Sequence, residues 1–113
     1  MIRRKDKLTK VVGPIEGGKG NITRELLIEG NELKNQAKVF AKLSVPVGGS
    51  VGLHEHNKDY EVYYILSGKG EVLDGDKIVE VNEGDVVYAI NTKHYIENIG
   101  DEELVFLAVI INL

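Results

Sequence analysis

Residues 48–68 read GGSVGLHEHNKDYEVYYILSG and hold two of the three histidines in a 113-residue chain. Residues two apart in a strand point to one face, about 7 Å apart along the chain, so His54 and His56 can converge while Glu55 turns away. Glu61 follows His56 by five residues, which in an uninterrupted strand sets it on the opposite face. The intervening Asn57, Lys58 and Asp59 are rich in turn formers, and a bend or bulge there restores Glu61 to the histidine face. Gly48, Gly49 and Gly52 let the backbone turn sharply or approach an ion closely. The remaining histidine, His94, lies far off in sequence. Three imidazoles and a carboxylate, with other positions left to water, suit Mn, Fe, Ni, Co, Cu or Zn and are a poor set for Ca or Mg. Taken alone, an H-x-H pair is also what a surface strand carries by chance, so an ordinary polar turn stays open on these residues.

Outward from this stretch the chain reads as short apolar or alternating segments punctuated by glycine, Asn and Asp. The segments are 21–28, 37–45, 60–68, "GEVLD" and "KIVEV" around the hairpin signal Asp74-Gly75, 84–90, 94–98 and 104–111. In 37–45, Ala37, Val39, Ala41, Leu43 and Val45 share a face, as a strand requires. No convincing amphipathic helix interrupts the series, which predicts an all-β sandwich or barrel. The last segment is apolar on both faces, Leu104, Phe106, Ala108 and Ile110 against Val105, Leu107, Val109 and Ile111. A second sheet or a second subunit must cover that extra row, which predicts a homodimer.

Composition narrows the function classes. The length fits one domain. A net charge of −4 offers no basic field for phosphate backbones, and nucleic acid is not an expected partner. The cluster Arg3, Arg4, Lys5, Lys7 and Lys10 reads as a solvated N-terminal arm. With no cysteine, disulfides, thiolate ligands and a Cys nucleophile are excluded. The longest apolar run, 104–111, is too short to span a bilayer, and a cytoplasmic location without membrane contact is expected. The segment "GPIEGGKG", Gly13 to Gly20, nearly spells a phosphate-binding loop, but Gly20 stands where Ser or Thr is needed and β-patterned sequence follows instead of a helix.

Gly48, His54, His56, Glu61 and Gly68 together satisfy G-x5-H-x-H-x4-E-x6-G, which resembles the first motif of the cupin superfamily, in its small single-domain, conserved-barrel group. The family's second motif, G-x5-P-x-G-x2-H-x3-N, is met at Gly84, His94 and Asn98. Its proline and second glycine are absent, and Gly84 and His94 stand one residue closer together. The resemblance covers roughly residues 37–111. It implies an all-β cupin barrel, a jelly-roll-like double-stranded β-helix of two antiparallel sheets. Residues 1–20 are then an arm and glycine-rich loop, and 21–113 the barrel. It also implies one divalent transition metal ion inside the barrel, with His54, His56, Glu61 and His94 as its ligands. Tyr63, on the face of Glu61, and Tyr88 either line the pocket or pack in the core, and the Asn98 amide either serves the site or ties down a turn.

A site of this kind can polarise a carbonyl, activate water or bind dioxygen. The leading expectation is a metal-dependent enzyme acting on a small carboxylate- or carbonyl-bearing molecule, decarboxylase- or dioxygenase-like. The alternatives are a non-enzymatic, metal-assisted ligand sensor and a sugar isomerase or epimerase, because the fold does not choose among them.

Overall fold

The computed structural model describes residues 1–113. Eight strands run β1 Thr9–Gly13, β2 Ile22–Leu26, β3 Ala37–Val45, β4 Ser50–Ser67, β5 Lys69–Asp74, β6 Lys77–Asn82, β7 Val86–Asn98 and β8 Leu104–Asn112, with 3-10 turns at Lys5–Lys7 and Gly30–Leu33. Hydrogen bonding is continuous in the order β1-β2-β3-β8-β4-β7-β5-β6, and every strand pair is antiparallel. The sheet folds upon itself into a barrel. Ile22 of β2 and Val81 of β6, from near opposite ends of that order, meet in one apolar core with Leu43, Val51, Ile65, Val72, Ile96, Leu104 and Phe106. No helix is long and apolar enough to cross a membrane.

Two long strands make the fold turn. In β4, His56 pairs with Thr92 and Tyr60 with Ile90, so four steps on β4 face two on β7. Asn57 and Lys58 are consecutive exposed residues there. His54 and His56 point inward before this irregularity, and Asp59, Glu61, Tyr63 and Ile65 after it, so the inner face changes from even to odd numbers. The bend anticipated at Asn57–Asp59 is therefore present. Across from it Asn91 adopts φ 52, a left-handed conformation that asparagine tolerates. It reverses the inward phase of β7 as well, from Val87 and Ala89 to His94, Ile96 and Asn98.

The segments read separately at 84–90 and 94–98 are thus one strand, β7, kinked at Asn91. Arg4, Lys5, Lys7 and Lys10 of the basic arm are exposed, but the segment around them is docked. Thr9–Gly13 pairs along its length with β2, and the Arg3 guanidinium donates to the Leu27 carbonyl at 2.7 Å and to both oxygens of Glu32. The glycine-rich stretch is a docked turn with no helix after it. Ile15 forms a parallel bridge with Val51, and the backbone of Gly52 donates to the Ile15 carbonyl.

On the last strand, Leu104, Phe106 and Ala108 are buried in the core, while Val105, Leu107 and Val109 remain partly exposed on the outer face. Phe40, Tyr64, Val86 and Tyr88 extend that apolar surface across neighbouring strands.

The docked turn depends on two glycines. A Cβ at Gly52 would stand 2.0 Å from the Glu16 carbonyl oxygen, and one at Gly18 2.0 Å from that of Ser50. Both obstacles are backbone and cannot swing aside. Gly52→Ala is therefore expected to destabilise the fold by about 1–3 kcal/mol in urea titration, with earlier proteolytic cleavage within residues 15–20. Unchanged stability and cleavage would show that the close approach is not required.

Candidate metal centre

His54, His56, Glu61 and His94 come together inside the barrel. Each offers a ligand atom, and these atoms lie within 4.8 Å of one another. The β4 register carries the first three, and the pairing of His54 with His94 across β4 and β7 brings in the fourth. Glu61 Oε1 lies 3.2 Å from His54 Nε2, 3.0 Å from His56 Nε2 and 3.0 Å from His94 Nε2.

The outer nitrogens decide which protons this centre can hold. His54 Nδ1 donates to the Gly52 carbonyl at 2.7 Å, and His56 Nδ1 donates to Asp59 Oδ1 at 2.6 Å. A carbonyl and an ionised carboxylate only accept, so both neutral rings carry their proton on Nδ1 and aim an Nε2 lone pair at the centre. Lone pairs facing a carboxylate oxygen repel it unless a cation lies between them or the ring takes a second proton. This donor set fits a metal ion, with Asp59 and the Gly52 carbonyl orienting the imidazoles from behind. His94 has no such partner: its buried Nδ1 is unsatisfied. That ring is held by stacking on Tyr63, with centroids 5.4 Å apart and planes 21° from parallel.

The electrostatics carry the same demand for positive charge. Burial pushes the Glu61 carboxyl up, but hydrogen bonds and charge from His54 and His94 outweigh it and bring it down to about 2. Burial pulls His54 down, yet Glu61 and the Gly52 carbonyl raise it above its ordinary value. Asp59 also resists burial, because Lys38, whose Nζ is 2.6 Å from Oδ2, and His56 hold its carboxyl below the usual range. The Tyr63 phenol is pushed well up by burial and the neighbouring Glu61 charge.

His54, His56 and Glu61 form part of the wall of a cavity of about 500 Å³, with Ile15, Glu16, Arg24, Lys38, Val51 and Tyr63 among the other lining residues. A larger depression, near 700 Å³, is lined by Gly68, Lys69, Asn82, Glu83 and the 99–102 turn. It contains no histidine, so the smaller cavity is the one with the chemistry. Tyr63 lines that cavity, as its shared face with Glu61 implied. Tyr88 lies neither there nor in the core. It is 59% exposed and meets Tyr60 edge-on outside the barrel. Asn98 ties down a turn: Nδ2 donates to the Val45 and Glu102 carbonyls and Oδ1 accepts from the Gly100 amide. Sequence reasoning passed over Asp59, Lys38 and Arg24. Asp59 carries a usable signal, a carboxylate three residues beyond a histidine, besides its place among the turn formers.

The family profile of the cupin domain matches residues 41–110. The chain belongs to the cupin superfamily. This small cupin is 40% identical over 115 aligned positions to an oxalate-binding protein of Thermotoga maritima, covering 100% of this chain and 95% of that protein. A crystal structure described as a predicted oxalate decarboxylase from the same organism superposes with a TM-score of 0.94 at 40% identity, covering 100% of both chains. An oxalate decarboxylase of Bacillus subtilis is 39% identical over 75 residues, 61% of this chain and 20% of that protein. The cupin therefore has a cluster able to hold a metal ion and relatives described by oxalate binding or decarboxylation.

For the metal-free cupin the Glu61 shift sets an acid limit. The folded chain keeps Glu61 ionised down to about pH 2, against an ordinary value of 4.5. The stabilisation is thus complete just above pH 4.5, where His54 still carries its second proton, and is lost as pH falls from there through about 2. It amounts to on the order of 3 kcal/mol. Chemical denaturation in the presence of chelator is expected to show this acid loss in the wild type and to show it reduced in Glu61→Gln.

Proposed function

We propose that this cupin binds one divalent transition metal ion, of the Mn, Fe, Ni, Co, Cu or Zn group, through His54, His56, Glu61 and His94, and uses it to capture a small carboxylate in the cavity. The observation that carries this reading is the convergence of three Nε2 atoms on Glu61 Oε1, two of them with lone pairs directed inward by acceptors behind the rings. The ion supplies a Lewis-acid centre for carboxylate or carbonyl oxygens. The chain's own residues hold its ligands in place, and the apolar part of the cavity wall, Ile15, Val39, Leu43, Val51 and Ile110, limits water. The names of the relatives support oxalate or a similar acid as the ligand class.

Turnover, decarboxylase- or dioxygenase-like, is the second reading, supported by the relatives described as decarboxylases. Against it, the two carboxylates that touch the histidines are already engaged, Glu61 by three imidazoles and Asp59 by His56 and Lys38. Neither is free to carry a proton to and from a substrate.

Elemental analysis of purified protein is expected to find transition metal in the wild type, little in His56→Ala and Glu61→Ala, and about 10–100-fold weaker affinity in Asp59→Asn. Wild type with no more metal than the two alanine variants would refute the site. Titration of the loaded protein with oxalate should then show binding, while gas release or oxygen uptake would favour turnover.

The exposed apolar surface around Val109, Tyr64 and Tyr88 supports a homodimer through that face. Sedimentation is expected to show a dimer for the wild type and a monomer for a Tyr64→Glu, Tyr88→Glu double variant; a monomeric wild type would refute it.

A further inference from the structure

We propose that Arg24 is a specificity-determining residue that binds a second anionic group, so that the preferred ligands are dicarboxylates longer than oxalate. This rests on the reading of the metal centre as a carboxylate site. Arg24 pairs in register with Leu43, a buried inward residue, and cross-strand partners share a face. It therefore points into the barrel, between Ile22 and Leu26 on its own strand, which also contact the core. Its side chain lines the cavity that contains His54, His56 and Glu61.

No ion pair engages Arg24. Arg3, by contrast, is engaged by Glu32 and the Leu27 carbonyl. Lys38, the other cation lining the cavity, is committed to Asp59 at 2.6 Å. Glu16 and Glu55 share the lining, yet neither reaches Arg24 within ion-pair distance. An inward-facing guanidinium with no protein partner is open to meet an anion, and its planar fork matches a carboxylate. Oxalate has only two carboxylates, and chelation of an ion uses an oxygen from each. The cavity, about 500 Å³, is in the range that holds much larger ligands. A longer diacid can place one end at the metal centre and the other at Arg24.

The test uses metal-loaded wild type, Arg24→Met and Arg24→Lys, titrated calorimetrically with oxalate, malonate, succinate and glutarate and with monocarboxylates of the same lengths. In the wild type at least one longer diacid is expected to bind about tenfold or more tightly than its monocarboxylate, the gain typical of a charge-assisted hydrogen bond. Arg24→Met should abolish that advantage with metal content unchanged, and should weaken the longer diacid more than oxalate. Arg24→Lys, which keeps the charge, should retain part of it. If oxalate binds the wild type but longer diacids gain nothing, or gain as much in Arg24→Met, the role of Arg24 is refuted and the metal-centre reading stands. If the loaded wild type binds no carboxylate, both readings fall.

Discussion

Glu61 places a carboxylate inside an apolar barrel, at 5% exposure, and such a charge must be matched where it sits. The match comes from imidazoles on two strands. His54 and His56 precede Glu61 on β4, and His94 approaches from β7. All of them can face one point only if β4 changes its inward phase between His56 and Asp59. The two exposed residues Asn57 and Lys58 accomplish that change. The left-handed Asn91 answers it on β7, close to the level at which the long strands bend. The device that gathers the ligands is thus also part of what shapes the barrel.

The same phase change explains what was legible in the sequence. Period-two alternation exposed the core faces of β3 and β8, and the turn formers after His56 told where Glu61 would point. Tyr88 lies outside because the αL residue Asn91 reverses the inward face of β7 between it and His94. Asn91 also hid the continuity of β7, because "INTKH" looks like a loop when a kinked strand is not considered. β1 was hidden for another reason. None of its residues is buried, so its place comes from the backbone ladder with β2, which leaves no apolar pattern to read.

Outer partners were the least legible part of the site. Asp59 acts on His56 through a nitrogen that faces away from the centre, and Lys38 acts on Asp59 from a strand distant in sequence. Neither is a fixed position of the motif: Asp59 reaches His56 from three residues on along β4, and Lys38 reaches Asp59 only because the barrel brings β3 to it. The Gly52 carbonyl that orients His54 is a backbone group. Any residue type supplies one, and the glycine is needed instead for the close approach of the Glu16 backbone.

The chain's net charge of −4 argues at first against an anion site, but the range of the forces decides otherwise. Surface charges are screened over roughly 8 Å at physiological ionic strength, whereas groups inside a poorly hydrated cavity act on each other with much less screening. Within this cavity Asp59 is matched by Lys38 and His56, whereas Glu61 faces imidazole nitrogens whose lone pairs call for a cation. A divalent ion held by the imidazoles and Glu61 carries more positive charge than that one carboxylate cancels, and the ion's own charge dominates the local field. The negative exterior and an anion-seeking interior are therefore compatible, because one belongs to solvent-facing acids and the other to the few groups the barrel encloses.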